Sequence, residues 1–272
     1  MDQTSIFKAA FFDVDGTLVD SRRRLSIHTV SALNRMRMRG IGKSLATGRS
    51  MISARYYAEA IEADLPLILF NGARVYDAKS REIIYEKLLP KDAAILATER
   101  ARQLGLHVNL YIDEDLYVSQ INEYALDFWE KDGLKPRPVG DLVAFIEKHK
   151  DPVKLLCIGS PDICDEFKRQ MDKESNRTNV VRSEPNYVEV LGHDVNKGRA
   201  LMEAVAACGM KISDVVVFGD GPNDVEMLEI AGLGVAPGNA RPEAKRAADI
   251  VIGSNDSDDL GRSLIDIFKL GP

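Results

Sequence analysis

Short apolar segments alternate with amphipathic segments along much of this chain, and each apolar segment runs into a loop of small or polar residues. The first, Phe7–Phe12, leads directly into Asp13-Val14-Asp15-Gly16. Such alternation is typical of β-α-β units, whose parallel strands are buried between layers of helices. It therefore restricts the chain to an α/β fold. Further strands of this type are predicted at 41–46, 67–70, 215–218, 233–236 and 250–252, with helices at 26–38, 50–61, 198–208, 224–230, 241–247 and 258–269.

A different pattern occupies the middle of the chain. Residues 73–89 alternate as two strands around 77–80, which predicts a hairpin. Helices are then predicted at 91–104, 121–131, 141–149 and 161–174, and strands at 106–111, 115–118, 153–159 and 178–182. Near Asn196 the first pattern returns. We therefore predict an α/β fold with a doubly wound, Rossmann-like parallel-sheet core, residues 1–84 and 188–272, and an inserted α+β cap domain, residues 85–187.

The composition excludes several classes of protein. The 36 Lys and Arg residues against 42 Asp and Glu residues give a net charge of −6, which disfavours nucleic-acid binding through a basic field. No segment approaches the length of a membrane span, and the first residues lack the basic region of a signal peptide. The cysteines, Cys157, Cys164 and Cys208, form no CxxC pair and predict no disulfide framework. We expect a cytoplasmic protein, a monomer or weak homodimer, that binds neither nucleic acid nor membranes.

Polar residues gather where the predicted core strands end. In a doubly wound sheet, ligands bind beyond the carboxyl ends of the strands. That edge would collect four carboxylates, one lysine, one arginine and several small polar groups. Together with the lysine at the return into the core, these residues are Asp13, Asp15, Thr47, Gly48, Arg49, Asn71, Gly72, Lys197, Asp220, Asn223 and Asp224.

Carboxylates that share one pocket repel each other and resist ionisation, and a hard divalent cation relieves that repulsion. Asp13 and Asp220 are the first candidates as magnesium ligands, with a backbone carbonyl near Asp15 as a third. A carboxylate in this position can also attack phosphorus, while a second carboxylate transfers protons. Lys197, at the start of a predicted helix, is unfavourable beside the positive end of the helix dipole unless an anion binds there.

These residues lie in motifs that resemble those of the haloacid dehalogenase-like phosphatases, and among them the Cof-type sugar-phosphatase branch. The matching motifs follow one another in order, and four ordered motifs are far more specific than one. The first four are Asp13–Ser21 (DVDGTLVDS), Ala46–Arg49 (ATGR), Asn196–Gly198 (NKG) and Gly219–Leu228 (GDGPNDVEML), and a fifth element is Gly234–Ala240 (GVAPGNA). The predicted insertion lies where this branch carries its large cap.

The resemblance implies a role for each motif residue. Asp13 would be the nucleophile and a magnesium ligand, and Asp15 the general acid and base, which also binds magnesium through its carbonyl. Asp220 would bind magnesium with the support of Asp224. The transferring phosphate would be held by Val14, through its N–H, and by Thr47, Gly48, Lys197 and Asn223. Arg49, Asn71 and Gly72 are the residues expected to contact the substrate.

The expected reaction is Mg²⁺-dependent hydrolysis of a small phosphorylated metabolite, a sugar phosphate or a phosphorylated cofactor, through an aspartyl phosphate. One alternative is a phosphomutase acting on hexose phosphates. Another is a sensor of phosphorylated ligands without catalysis, which the intact set of Asp13, Asp15 and Lys197 disfavours. The chain also departs from the branch at Pro237, where methionine is usual, and at 254–264, which lacks the usual acidic-Gly-Val element.

Overall fold

The computed structural model describes residues 7–271, so the expectation about a signal peptide concerns residues that lie mostly outside it. The chain forms two compact units. The first contains the described residues up to Gly48, then Arg55–Tyr85 and the chain from Asn196 onward. The second contains Arg49–Ala54 and Glu86–Val195. Among the described residues, no helix combines the length and apolarity needed to cross a bilayer.

A parallel sheet of five strands forms the centre of the first unit, as predicted, in the order β14-β13-β12-β1-β2. β1 pairs in parallel with both β12 and β2, and all three are fully buried, as is usual for a sheet covered on both faces. Because these strands are parallel, their carboxyl ends lie at one edge. The strands are β1 (Ala9–Phe12), β2 (Gly42–Leu45), β12 (Val215–Phe218), β13 (Leu233–Ala236) and β14 (Ile250–Val251).

Three further strands of the described residues extend this unit beyond β2. They are β3 (Leu67–Leu69), β4 (Arg74–Tyr76) and β5 (Ile83–Glu86), and they lie in that order in a second sheet. β3 and β4 are antiparallel, and a parallel bridge from Ala46 to Ile68 places β3 beside the end of β2. The loop after β3 therefore reaches the same edge as the loop after β2.

Among the described residues, the α-helices that belong wholly or partly to the first unit are α1 (Ile27–Met38), α2 (Met51–Ala60), α7 (Lys197–Ala207), α8 (Val225–Ile230), α9 (Pro242–Ala247) and α10 (Asp259–Ile267). Side chains cap the first turns of α1 and α7. The Ser26 hydroxyl accepts hydrogen bonds from the N–H groups of His28 and Thr29 at the start of α1. The Asn196 amide oxygen accepts the N–H of Arg199 at the start of α7. Both caps satisfy backbone donors that the helix itself leaves unpaired.

The second unit is an α+β domain built on a six-stranded sheet in the order β10-β11-β9-β6-β7-β8, antiparallel except between β7 and β8. Apolar residues on alternate positions of β6 pack against the helices on one face of the sheet. The strands are β6 (His107–Ile112), β7 (Asp115–Val118), β8 (Pro136–Pro138), β9 (Lys154–Ile158), β10 (Thr178–Glu184) and β11 (Tyr187–Gly192), and the helices are α3 (Lys91–Gln103), α4 (Glu123–Asp132), α5 (Leu142–Lys148) and α6 (Pro161–Glu174).

Two of these strands were not predicted from the sequence. β8 contains two prolines, which normally argue against a strand, but it lies at the sheet edge, where a missing N–H is tolerated. β11 pairs with both β9 and β10. The predicted division after residue 187 falls inside β11, whereas the second unit continues to Val195 because β11 is an inner strand of its sheet.

A glycine determines how closely the loop after β3 approaches α7. Gly72 has a φ of +94°, and a Cβ at this position would lie 2.3 Å from the backbone oxygen of Asn196. The contact sets the start of α7, and with it the position of Lys197, against the loop after β3. Only glycine satisfies both the left-handed backbone and the close approach.

We therefore expect Gly72→Ala to lower the free energy of unfolding by about 3 kcal/mol or more, from backbone strain and overlap together. Gly209→Ala is the matched control, because its φ is +64° but nothing lies within 4 Å of a Cβ there. That control should cost only about 1 to 2 kcal/mol. Urea unfolding of both variants measures the difference, and equal losses would show that the contact with Asn196 does not matter.

Candidate active site

The chain turns sharply at the end of β1. Asp13 donates its N–H to the carbonyl of Phe218 at 2.9 Å, which fixes it beside the end of β12. Residues Val14–Leu18 then form one tight turn that contains Asp15. Gly16 lies in this turn with a φ of +81°, and a Cβ there would be 2.5 Å from Oδ2 of Asp220. The turn thus brings Asp13, Asp15 and Asp220 to one place only because residue 16 is glycine.

Lys197 is the first residue of α7, and its side chain is completely buried. Its Nζ donates to Oδ1 of Asp13 and to Oδ1 of Asp224, each at 2.6 Å. Burial by itself lowers the pKa of an ammonium group, but the two carboxylates outweigh this effect and raise the pKa of Lys197 above its ordinary value. The lysine therefore remains charged in the folded protein.

A third carboxylate lies close to the two that bind this lysine. One oxygen atom from each of Asp13, Asp220 and Asp224 lies within 4.8 Å of the others. Burial raises the pKa of Asp13 well above its ordinary value, although Lys197 opposes the shift. Burial and the charge of Asp224 raise the pKa of Asp220 to about 6 from an ordinary 3.8, and Asp15 contributes a smaller repulsion. One lysine therefore does not offset the burial and the mutual repulsion of these acids.

This donor set fits a hard divalent cation, which prefers oxygen ligands and few carboxylates. Asp13 and Asp220 suit it best, because their hydrogen bonds to Lys197 and to the Thr17 hydroxyl each involve Oδ1 rather than Oδ2. Asp224 suits it less well. Its Oδ1 accepts Lys197, and its Oδ2 accepts the N–H groups of Asp220 and Gly221 at 2.9 and 2.8 Å. This favours a role for Asp224 in holding the lysine and the loop after β12.

The loops after β2 and β3 meet a third loop at the same edge. Asn71 has a left-handed backbone, with a φ of +55°, and donates its N–H to the carbonyl of Thr47 at 3.0 Å. Its Oδ1 accepts Nδ2 of Asn223 at 2.9 Å. A Cβ on Gly48 would lie 2.9 Å from the same Oδ1, so Gly48 allows the amide to pack there. The structure thus brings Thr47, Gly48, Asn71 and Asn223 together.

One polar atom of this group is left without a partner. Asn71 is only 1% exposed, and its Nδ2 forms no hydrogen bond although it is buried. An unpaired buried N–H group typically costs about 1 to 3 kcal/mol. A left-handed non-glycine backbone is a further strain, and such strain is concentrated at functional sites. The positive φ of Gly72, by contrast, is explained by the close packing of its backbone against the start of α7.

Arg49 forms an ion pair within the second unit. It is grouped with the second unit, where its guanidinium lies 3.1 Å from the carboxylate of Asp132. Both side chains are largely buried. The sequence places Arg49 directly after Thr47-Gly48, but its observed ion pair is not part of the carboxylate cluster.

The second unit has its own buried polar face. His107, Asn109 and Tyr111 alternate with the apolar residues of β6 and are all buried. Nε2 of His107 lies 2.9 Å from Oδ1 of Asn109, and burial lowers the pKa of His107. Lys154 and Glu189 form a buried ion pair on the neighbouring strands. These contacts are internal to the unit.

Residues that the sequence did not single out also reach the cluster. The Thr17 hydroxyl donates to Oδ1 of Asp220 at 2.7 Å. Nδ2 of Asn239 donates to the carbonyl of Gly16 at 2.8 Å. Both residues lie in motifs identified from the sequence, Thr17 in Asp13–Ser21 and Asn239 in Gly234–Ala240. Their place in these motifs was the signal that could have predicted a contact with the cluster.

Comparison with known proteins gives the family. The sequence model of the haloacid dehalogenase-like hydrolases matches residues 10–264. Pyridoxal phosphate phosphatase YbhA of Escherichia coli is 28% identical over 92% of this chain and 94% of its own. An HMP-PP phosphatase of an Enterobacter species is 30% identical over 87% of this chain and 86% of its own.

A solved structure of the same family has a similar fold along nearly the whole chain. The crystal structure of a haloacid dehalogenase-like hydrolase from Bacteroides thetaiotaomicron has a TM-score of 0.85 and 26% identity, and the match covers 96% of this chain and 100% of that one. The agreement extends over both the parallel-sheet unit and the inserted α+β unit. This chain therefore belongs to the haloacid dehalogenase-like hydrolases and is a phosphatase of their Cof-type branch.

Proposed function

We propose that this phosphatase uses Mg²⁺ and an aspartyl phosphate on Asp13 to remove the phosphate group from a small phosphorylated metabolite. One observation carries the proposal: Lys197 is buried between Asp13 and Asp224, and Asp220 lies within 4.8 Å of both. A buried lysine that binds two carboxylates is costly to assemble for structure alone. Beside a third carboxylate at the carboxyl edge of a parallel sheet, it makes a site for a phosphate dianion and a cation.

The reaction would run in two steps. An electron pair of the Asp13 carboxylate attacks phosphorus, the bond from phosphorus to the ester oxygen breaks, and Asp15 donates a proton to the leaving oxygen. Asp15 then accepts a proton from water, which attacks the phosphoryl group and releases Asp13 and inorganic phosphate. Lys197 holds the Asp13 carboxylate in one orientation through its 2.6 Å hydrogen bond.

The carboxylates of Asp13 and Asp220, with the carbonyl of Asp15, are the groups that would hold the cation. When bound, Mg²⁺ would offset the excess negative charge of the cluster and of the phosphate. Asp224 would act through Lys197 rather than as a direct ligand, since both of its oxygens already accept hydrogen bonds.

The phosphate would be held mainly by neutral donors. We assign this role to the N–H groups of Val14 and Gly48, the Thr47 hydroxyl and the Asn223 amide, in addition to Lys197. Asn71 joins them because its buried Nδ2 lacks a partner. The relatives named as phosphatases of pyridoxal phosphate and of HMP-PP support a small phosphorylated metabolite as the substrate class.

The proposed nucleophile is tested by Asp13→Asn. We expect kcat for hydrolysis of p-nitrophenyl phosphate with Mg²⁺ to fall more than about a thousandfold, because an amide cannot form the phosphoenzyme. Asp266→Asn is the matched control on the exposed face of α10 and should keep full activity. Substantial activity in Asp13→Asn would exclude this nucleophile. A wild-type protein that isomerises hexose phosphates without releasing phosphate would instead indicate a mutase.

The proposed cation site is tested by Asp220→Asn in thermal and urea unfolding. The raised folded-state pKa of Asp220 means that the metal-free protein loses stability as the pH rises from about 4 to about 7, by up to about 3 kcal/mol from this group. Near neutral pH in EDTA, Asp220→Asn should therefore be more stable than the wild type.

The same variant should lose the response to the cation. Millimolar MgCl₂ should raise the melting temperature of the wild type and of the Asp266→Asn control but leave that of Asp220→Asn nearly unchanged. An equal rise in all three proteins would place the cation elsewhere. This measurement does not depend on catalytic turnover.

The proposed phosphate contact of Asn71 is tested by Asn71→Asp. The new carboxylate keeps an oxygen to accept Asn223, but it replaces the unpaired N–H donor with an acceptor that repels phosphate. We expect kcat/KM to fall about ten- to a hundredfold and the inhibition constant for inorganic phosphate to rise. Asn34→Asp, which adds the same charge on the exposed face of α1, should behave as the wild type. Unchanged inhibition by phosphate in Asn71→Asp would exclude the contact.

A further inference from the structure

Two sequence segments have no part in the chemistry proposed above, yet both contact the turn after β1. They are the Gly234–Ala240 motif, which begins in β13, and residues 254–259 before and at the start of α10. Nδ2 of Asn239 donates to the carbonyl of Gly16 at 2.8 Å. Nδ2 of Asn255 donates to the carbonyl of Val19 at 2.9 Å. The turn is thus held at its centre, at Gly16, and directly after its last residue, at Val19.

The two asparagines also hold each other. The N–H of Asn255 donates to Oδ1 of Asn239 at 2.9 Å, so Asn239 uses its acceptor on one neighbour and its donor on another. We refer to this pair as the amide brace, residues Asn239 and Asn255. Its two bonds to the turn join positions more than 200 residues apart along the chain.

Further contacts continue the attachment beyond the turn. The N–H of Ser21 donates to Oδ1 of Asp256 at 2.7 Å. The hydroxyl of Ser26, which caps α1, donates to Oδ1 of Asp258 at 2.8 Å. The segment before α10 is therefore hydrogen-bonded to the chain at three points between the turn and the start of α1, which are Val19, Ser21 and Ser26.

The backbone hydrogen bonds that close the turn are long. Those from the N–H of Leu18 to the carbonyl of Asp13 and from the N–H of Val19 to the carbonyl of Val14 are both 3.2 Å. Gly16, at its centre, has a positive φ and few intrinsic restraints. Asp15 lies directly before this glycine, so a rotation about Gly16 would change where the Asp15 carboxylate points.

We infer that Asn239 and Asn255 are positioning residues that fix the turn carrying Asp15 in the orientation needed for proton transfer. The inference rests on the proposed function for its catalytic consequence. Amides suit the task because each supplies a donor and an acceptor without charge. A carboxylate or a cation at these positions would instead alter the electrostatics of a cluster that already has closely spaced acids.

The expected effect is on orientation more than on overall stability. Asn239 is exposed and Asn255 half-buried, so each of their hydrogen bonds contributes only about 1 kcal/mol net. A misplacement of about 1 Å in a reacting group, however, can reduce the rate a hundredfold. Val14 is the one proposed phosphate ligand in the turn, and the others lie on elements that the brace does not contact, so substrate binding should change much less than the rate.

The test compares Asn239→Ala, Asn255→Ala and the double variant with the control Asn34→Ala, which alters an exposed asparagine on α1. We expect kcat to fall about tenfold in each single variant and further in the double variant, with KM within about twofold of the wild type. Melting temperatures should fall by only a few degrees. The control should match the wild type in kcat and KM.

Hydrogen exchange measured by mass spectrometry supplies a readout that needs no turnover. Peptides covering residues 14–21 should exchange faster in the double variant, while peptides covering β12 should not change. Unchanged exchange in 14–21, or a kcat equal to that of the wild type, would overturn the inference. If the wild type hydrolyses no phosphate ester, the proposed function fails, and the exchange result alone then decides whether the brace holds the turn.

Discussion

A single buried ammonium group, that of Lys197, organises the candidate active site. Lys197 has no exposed surface, and its ammonium group is stable only because Asp13 and Asp224 both accept hydrogen bonds from it. Removing a charge from water costs several kcal/mol unless it is paired, so the ends of β1 and β12 and the start of α7 have to meet. The positive φ of Gly72 lets the loop after β3 pack directly on the residue that caps α7, which keeps the lysine in place.

Lys197 alone does not neutralise the carboxylates around it. Asp220 adds a third carboxylate, whose pKa is raised to about 6 by burial and by its neighbours. Burial and the neighbouring acids therefore oppose the ionisation of Asp220, and a bound cation would relieve that cost. A protein that kept this arrangement only for stability would gain from replacing Asp220, whereas a phosphatase needs the negative charge to bind a metal.

Neutral amides provide the orientation that charges cannot. Asn223 and Asn71 bind each other between two loops, and Asn239 and Asn255 bind the turn after β1. Each of these side chains bonds to a loop without adding a charge beside the acids. The loops around the carboxylates are thereby held by groups that carry no charge.

The sequence by itself determined the class of fold and the edge at which the candidate site lies. The apolar segments before Asp13 and before Asp220 predict parallel strands, and the carboxyl ends of parallel strands share one edge. It could not show that both oxygens of Asp224 are already engaged, that Gly72 packs on Asn196, that Arg49 pairs with Asp132, or that β11 is an inner strand. Only the tertiary structure decided these points, because they depend on distances between residues far apart in the chain and on where each side chain points, and a local pattern of residue types encodes neither.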